Sequence, residues 1–483
     1  MTNRDLATKK VAVLGLGIEG AAVTRFLRGK VNTLTVLDHA KRKEMLEKAQ
    51  GELRVQLEQI WDDPDIAKEV GDDYMDKLDR FDIVFRTPGI SYNNEKIQEA
   101  ISKGVEISSQ IKLFFDLCPA RIIGVTGTKG KGTTSSLIYE ALKNQSEQDG
   151  SEFKVFIAGN IGYPAISLLP KLSSKDIVVL ELSSFQLMDL DQSPHIAVVT
   201  NLDVEHQDYH KSLEEYHKSK YNILAHQEEG DFVILNLNST FPGEWLLGVK
   251  SDVVYFSSDE DERAEAFVRE ISGDQGVVVK SGDKEQLVCR QSEIKLVGRH
   301  NLENIAAASL AYWFALAPSS NSDFMQTLRR TVKEFTGLPH RLELVAEVDG
   351  VKYVDDSFGT TLGPTIAAIS SLPENKVIIL GGSSKGADFK PLAERIAQSN
   401  VSAVVLIGDE GPRLEKALSA AGYMGTIAWG GKTMEEIVGC ARSLAHSGEV
   451  VVLSPACASF GLFRDYKDRG EQFHQVVAKL KNK

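Results

Sequence analysis

The sequence predicts an α/β protein of three units, each a parallel sheet flanked by helices. Three observations carry this. Short β-branched runs alternate with helical stretches along almost the whole chain, the runs are continuously apolar and bounded by glycine, and strand–glycine–helix junctions fall near residues 14, 126 and 380. Strands apolar on both faces belong inside sheets covered on both sides, which is the setting of βαβ units. The length of 483 residues agrees, since roughly 100–200 residues per domain gives two to four domains.

In chain order the strands read as Val11–Leu14, Thr33–Asp38, Phe81–Arg86, Ile122–Thr126, Ile177–Glu181, Ile196–Asn201, Val377–Leu380, Ala403–Gly408 and Val450–Ser454. Leu117-Cys118-Pro119 closes a helical stretch ahead of a new strand, and Thr336-Gly337-Leu338-Pro339 follows the helical stretch Asp323–Phe335. These punctuation points set the expected domains at 1–117, 118–337 and 338–483. Between about Asp231 and Leu296 short strands, including Gly276–Lys280 and Gln286–Arg290, alternate with polar turns. The acidic run Ser257–Glu265 reads as a solvated loop.

Composition removes several function classes. Lys and Arg number 55 against 68 Asp and Glu, a net charge of −13, and the isoelectric point is near 5.4. Such a chain has no basic footprint for nucleic acid or an anionic membrane. With 42% hydrophobic and 25% charged residues it is not a largely disordered chain. No apolar run reaches the ~18 residues of a membrane helix. Val11–Ile18 is short and broken by Gly15 and Gly17, which is unlike a signal peptide. Cys118, Cys289, Cys440 and Cys457 form no CxxC and suggest neither a disulfide framework nor a zinc site. The expectation is a soluble, cytoplasmic enzyme.

Two glycine loops carry phosphate chemistry. Gly15-Leu16-Gly17-Ile18-Glu19-Gly20 follows a strand and opens a helix, and Asp38 ends the next strand. That arrangement points a helix N-terminus at a pyrophosphate and an acid at a ribose, so it reads as a nucleotide or nucleotide-sugar site. Gly124-Val125-Thr126-Gly127-Thr128-Lys129-Gly130-Lys131-Gly132-Thr133-Thr134 reads as an ATP loop. Backbone N–H groups would wrap the phosphates, Lys131 would neutralise the β and γ oxygens, and a hydroxyl would reach magnesium. Gly132 stands where a hydroxyl usually follows the lysine, so either Thr133 takes that task or the metal uses water. Glu181 at a strand end suits a second magnesium contact. Taken alone, His206 reads as a hydrogen-bonded loop residue and Lys220, on an amphipathic helix, as a surface lysine.

The ordered set of motifs resembles the Mur ligases, ATP-dependent amide-forming ligases of cell-wall synthesis. It comprises the GTKGKGTT loop, GNIG at Gly159–Gly162, ELSSFQL at Glu181–Leu187, NLDVEH at Asn201–His206, Lys220, GRHNLEN at Gly298–Asn304, PHRLE at Pro339–Glu343, DDS at Asp355–Ser357, GGSSKGADF at Gly381–Phe389 and SPACASF at Ser454–Phe460. SSFQL and SPACASF followed by RG-x-x-F are similar to the branch that adds D-glutamate to a UDP-linked muramoyl-alanine substrate.

The resemblance implies a Rossmann-like N-terminal unit, a central P-loop ATPase unit and a Rossmann-like C-terminal unit. It also implies reaction through an acyl phosphate. Ile18, Glu19 and Asp38, with Thr87-Pro88-Gly89, would hold the uridine diphosphate, and Asn160 and His206 the muramoyl part. Gly127, Thr128, Lys129, Gly130, Lys131, Gly132, Thr133, Asn304, Arg341 and Asp356 would hold ATP. Thr360, Lys385, Ser459, Phe460 and Tyr466 would hold D-glutamate. Two Mg²⁺ ions would sit at Thr133, Glu181, His206 and Lys220, the last as a carbamate, with Lys131, His206 and Lys220 the catalytic set. The implied partners are small molecules acting on a monomer. Phe358 stands where the D-glutamate branch usually carries lysine, and His39-Ala40 where Thr-Arg is frequent.

Overall fold

A computed structural model describes residues 6–49, 51–161, 163–202, 212–282, 284–296, 298–316, 323–383 and 386–480. It contains three sheets. The first joins β1 (Lys10–Leu14), β2 (Thr33–Asp38), β3 (Ile66–Val70), β4 (Ile83–Arg86) and β5 (Glu106–Ser108) in the order β3-β2-β1-β4-β5, every pairing parallel. The strand order reverses between β1 and β4, and their C-terminal ends, Leu14 and Arg86, open the crevice where such sheets take ligands.

The second sheet has nine strands: β6 (Arg121–Thr126), β7 (Val155–Gly159), β8 (Ile177–Glu181), β9 (Ile196–Val199), β10 (Phe232–Asn236), β11 (Asp252–Ser257), β12 (Ala266–Ile271), β13 (Asp274–Ser281) and β14 (Lys284–Arg290). Their order is β14-β13-β12-β11-β10-β9-β6-β8-β7. Strands β6 to β11 pair in parallel, whereas β12, β13 and β14 form an antiparallel meander. The meander falls in the stretch of short strands and polar turns expected between about 231 and 296, and it is antiparallel because tight two-residue links cannot make the crossover a parallel pair requires.

The third sheet comprises β15 (Glu343–Val348), β16 (Val351–Asp355), β17 (Lys376–Gly381), β18 (Val401–Ile407), β19 (Thr426–Trp429) and β20 (Val450–Leu453), ordered β15-β16-β20-β17-β18-β19. Only its first pairing, β15 with β16, is antiparallel. The C-terminal ends of β16, β20 and β17 lie side by side and release the DDS, SPACASF and GGSSKGADF segments from one edge.

The chain packs as two compact units, Met1–Arg290 with Leu302–Val332, and Gln291–Asn301 with Lys333–Lys483. The first holds the first two sheets and the second holds the third. Apolar clusters line both faces of the first and third sheets and one face of the parallel part of the second, as continuous apolar strands require. Helix starts follow local chemistry. Ser109 caps Gln110–Leu117 through the Lys112 N–H, and Ser212 caps Leu213–Tyr221 with Glu214 and Glu215 in the first turn, where acids favour the helix dipole. The first of these helices ends at the expected break before Cys118. No helix among the described residues is long and apolar enough to cross a membrane.

Candidate active site

The loop after β1 is locked from several sides. The Asp38 carboxylate accepts the Leu16 N–H at 2.7 Å and the Ala40 N–H at 2.8 Å. Gly15 has φ +92°, and a Cβ on Gly20 would stand 1.9 Å from the Gly15 carbonyl oxygen, so glycine is required for this turn to meet its own helix. Ile18 projects into solvent at 59% exposure, and Gly89 is exposed. Glu19 turns inward and accepts from Gln186 Nε2 at 2.8 Å; burial raises its pKa. Nearby, buried Arg86 pairs with Asp189 and donates to the Phe185 carbonyl. The first sheet is thus tied to the ELSSFQL segment through Gln186 and Asp189, a link that nothing in the spacing of the motifs announces.

The loop after β6 forms a cradle. Helix Lys131–Asp149 starts at Gly130, whose φ is +81°. Asn201 Oδ1 accepts the N–H groups of Thr128 and Lys129 at 3.1 and 2.8 Å, and Thr200 Oγ1 donates to the Lys129 carbonyl at 2.5 Å. Thr128 Oγ1 meets the Tyr216 hydroxyl at 2.9 Å. Lys131 Nζ donates to the carbonyls of Gly127 and Thr128, both at 2.9 Å. Lys220 Nζ donates to the same Gly127 carbonyl at 2.8 Å and lies 3.4 Å from Thr126 Oγ1. At 2% exposure Lys220 is no surface lysine, and the isolated reading of it is corrected. Its helix brings it inward one turn beyond Tyr216, four residues earlier on the same face.

Of the two loop hydroxyls, Thr134 is fully buried and bonds Asn304 Oδ1 at 3.3 Å, while Thr133 is half-exposed and Gly132 buried. A Cβ on Gly130 would stand 2.2 Å from Asn304 Oδ1, so Asn304 closes over the loop. Glu181 is buried at the end of β8 and accepts from Asn160 Nδ2 at 2.8 Å. A buried carboxylate, a half-exposed hydroxyl and a phosphate loop make a hard-oxygen donor set that suits Mg²⁺. His206 lies outside the described residues.

In the second unit the PHR and DDS motifs meet. His340 Nδ1 is 2.7 Å from Asp355 Oδ2, and His474 Nε2 is 3.0 Å from the same oxygen. Burial would raise the Asp355 carboxyl, but the two imidazoles beside it hold its pKa below the usual value. Asp355 in turn raises that of His474. Arg341 stands exposed between His340 and Leu342, which have φ +63° and +45°, a strained backbone that the neighbouring bonds over-determine. The Leu342 N–H reaches Asp356 Oδ1 at 3.3 Å, and the Ser454 hydroxyl donates to Asp356 Oδ2 at 2.6 Å. Burial pushes Asp356 up to about 7. Phe358 faces the Arg341 guanidinium at 5.4 Å and the Tyr466 ring edge-on at 5.2 Å. Ser459 is buried, Phe460 exposed and Thr360 half-buried. Lys385 lies outside the described residues. Arg469 and His474, which the sequence reading did not single out, prove central to this cluster; the only signal was their place in and just after the RG-x-x-F pattern.

Family models match in chain order: the Mur ligase MurD-like N-terminal domain over residues 9–109, the Mur ligase middle domain over 125–312, and the Mur ligase glutamate ligase domain over 340–457. The chain is 37% identical over 482 residues to UDP-N-acetylmuramoylalanine--D-glutamate ligase of Acetivibrio thermocellus, covering 98% of this chain and 97% of the relative. It is 38% identical to the protein of the same name from Symbiobacterium thermophilum, covering 98% of each. Among solved structures, UDP-N-acetylmuramate-alanine ligase MurC of Thermotoga maritima matches with a TM-score of 0.55 at 18% identity, covering 98% of this chain and 99% of that one. MurF ligase of the same organism, solved in complex with ADP, matches at 0.52 and 17% identity, covering 100% and 97%. The structural likenesses show a shared fold, and the full-length identity to the curated relatives establishes that the chain belongs to the Mur ligase family.

Proposed function

We propose that this chain is an ATP-dependent ligase that joins D-glutamate to UDP-N-acetylmuramoyl-L-alanine in the cytoplasmic synthesis of peptidoglycan precursors. The observation that carries the reading is the cradle after β6, where Lys131 and Lys220 converge on the Gly127 carbonyl beside Asn304. It is a phosphate-handling site, and the relatives supply the substrate class.

The chemistry follows from leaving groups. A carboxylate resists attack by an amine because oxide would have to leave. Transfer of the γ-phosphoryl group of ATP to the L-alanyl carboxylate gives an acyl phosphate and ADP. The D-glutamate amine then attacks the acyl carbon, and the tetrahedral intermediate expels phosphate to leave the amide. The protein positions the groups and neutralises charge. Lys131 and the loop amides of Gly127, Thr128, Lys129, Gly130, Gly132 and Thr133 hold the phosphates; Asn304, Arg341 and Asp356 hold the base, ribose and phosphates of ATP. Ile18, Glu19, Asp38, Gly89, Asn160 and His206 hold the UDP-sugar; Thr360, Lys385, Ser459, Phe460 and Tyr466 hold D-glutamate.

Two Mg²⁺ ions would be held by Thr133, Glu181, His206 and Lys220, and would supply neutralisation of phosphate charge. Two ammonium groups on one carbonyl repel each other, which favours the neutral amine of Lys220; adding carbon dioxide with loss of a proton to solvent would make it an anionic carbamate. In this reading the domains span 1–117, 118–337 and 338–483, and the enzyme works as a monomer. Phosphate release from ATP, Mg²⁺ and UDP-N-acetylmuramoyl-L-alanine, measured with D-glutamate, L-glutamate and diaminopimelate in turn, tests it. D-glutamate alone should stimulate; equal stimulation by either of the others would remove the assignment.

A further inference from the structure

Beneath the loops 355–360 and 454–460 lies Arg469, with 0% of its surface exposed. Nε donates to Ser357 Oγ at 2.8 Å, one terminal nitrogen to the Ser357 carbonyl at 2.8 Å, and the other to the Cys457 carbonyl at 3.3 Å. All three acceptors are neutral. Burial pulls the guanidinium down to about 10, so it stays charged at neutral pH. A buried cation bonded to carbonyls is a costly way to gain stability compared with an apolar side chain, and its product is geometry: one rigid fork fixes two loops that meet only through the fold.

The surroundings are shaped to admit it. Ser357 Oγ also donates to the Tyr466 carbonyl at 2.8 Å, closing a ring between the DDS loop and the start of the last helix, Tyr466–Leu480. A Cβ on the next residue, Gly470, would stand 2.1 Å from His340 Nδ1 and 2.6 Å from Asp355 Oδ2. Glycine therefore lets the helix backbone press against the His340–Asp355 pair while Arg469 reaches under both loops. The loops are also laced to each other, with the Ala456 N–H on the Gly359 carbonyl at 2.9 Å and the Asp356 N–H on the Leu453 carbonyl at 2.8 Å.

We propose that Arg469 is a positioning residue that couples loop 355–360, which carries Asp356 of the nucleotide set and Thr360 of the D-glutamate set, to loop 454–460, which carries Ser459 and Phe460 of the D-glutamate set. The loop roles rest on the function proposed above; the coupling itself does not. Each loop is held in register by the other, so the groups Asp356 and Ser459 are placed as one body. Lysine keeps the charge but offers a point donor in place of a fork, and cannot serve Ser357 and Cys457 together.

The test compares the wild-type chain with Arg469→Lys and, as a second reporter that keeps the arginine, Ser357→Ala. Hydrogen exchange without ligands should quicken about tenfold in both loops in Arg469→Lys, since a lost buried bond of this kind loosens local opening to that order, while β17 and β18 stay protected. Ser357→Ala should loosen the same two loops to a smaller degree. In turnover, KM for ATP and KM for D-glutamate should rise together by about tenfold with KM for the UDP-sugar unchanged, because the same bond is lost from both sites. Quickening confined to one loop, quickening spread over the whole third sheet, or a rise in one KM alone would overturn the coupling. The exchange experiment needs no turnover, so an absence of D-glutamate-dependent phosphate release would sink the proposed function and leave the coupling to be judged by itself.

Discussion

The loop after β1 and the loop after β6 both leave a parallel strand through glycine and enter a helix, yet only in the first does a glycine admit the loop's own backbone. Gly15 makes room for the Thr87 hydroxyl, at 2.3 Å from its Cβ, as the second loop's glycines do for side chains, but Gly20 does not. Gly20 makes room for backbone: its Cβ would strike the Gly15 carbonyl oxygen at 1.9 Å. Gly127 and Gly130 make room for side chains, Thr200 Oγ1 at 2.0 Å and Asn304 Oδ1 at 2.2 Å. The acid of the first loop, Asp38, is engaged with the loop's own amides, whereas the second loop gathers two lysines onto one carbonyl. Two similar glycine patterns thus do different work. The first ties its acid to its own turn, and the second gathers positive charge around one loop carbonyl.

The sharpest separation between the loops lies at Lys220. If it acts as a carbamate, Lys220→Arg should be as inactive as Lys220→Ala, with kcat lower by a factor on the order of 10³ or more, the scale of losing a principal charge-stabilising group. Acetate should restore part of the activity of Lys220→Ala by standing in for the lost carboxylate. Substantial turnover in Lys220→Arg would show that a cation suffices, and the second loop would then need only positive charge.

A second pair tests backbone against side chain directly. Gly20→Ala forces a Cβ into a carbonyl that cannot step aside, so it should destabilise the N-terminal sheet by roughly 2–4 kcal/mol, seen as a fall in the denaturant midpoint. Gly130→Ala meets the movable amide of Asn304 and a left-handed backbone, a cost of about 1–2 kcal/mol. Its larger effect should be on KM for ATP, raised more than about tenfold by displacing a nucleotide contact. If the two variants lost stability equally and Gly130→Ala kept its ATP affinity, the distinction drawn between the loops would not hold.

Thr133 and Thr134 refine the account of the second loop. Thr134 is committed to Asn304, while Thr133 remains half-exposed at the mouth of the cradle. Thr133→Ala should cut kcat by about ten- to a hundredfold and raise the Mg²⁺ requirement, whereas Thr134→Ala should cost about 1 kcal/mol of stability with a milder kinetic effect. A reversed order in a magnesium titration would move the hydroxyl role to Thr134.

Much of this was legible in the sequence because the signals are local. Strands such as Thr33–Asp38 and Ile177–Glu181 were readable to the residue, since a strand flanked on both faces carries a largely apolar, β-branched run bounded by polar ends. The phosphate loop was legible because its glycines sit at fixed offsets from Lys131. What escaped was set by distant partners. Ile66–Val70 (IAKEV) carries two charges and reads as a strand only once β2 pairs with it. The burial of Lys220 depends on a helix returning its charge to a carbonyl 93 residues earlier. Arg469 carries no sequence sign of its burial, because its partners Ser357 and Cys457 are neutral residues with no pattern to mark them. The antiparallel meander β12–β14 was visible as short strands, but its direction is decided by turn length, which the apolar pattern does not encode.

The smallest expected effect on stability decides the most about the first loop. Gly17 precedes the helix Ile18–Leu27 with φ −80° and ψ −163°, an extended conformation open to any residue. A Cβ there would meet no atom within 4 Å. Gly17→Ala should therefore leave the stability within about 0.5 kcal/mol of wild type, as surface changes away from special geometry do, with the thermal midpoint little moved. Glycine at that point has another use if a pyrophosphate approaches the helix N-terminus, where a methyl group would occupy the ligand's path. In that case KM for the UDP-sugar should rise several-fold while KM for ATP stays put, and the change should disappear in a binding assay with free phosphate, which can sit off the methyl. If both KM values and the midpoint were unchanged, the open space above Gly17 would be ordinary solvent. The uridine diphosphate would then have to be held from the side of Thr87-Pro88-Gly89 alone, and the contrast between the two loops would become one between a ligand site and a plain turn.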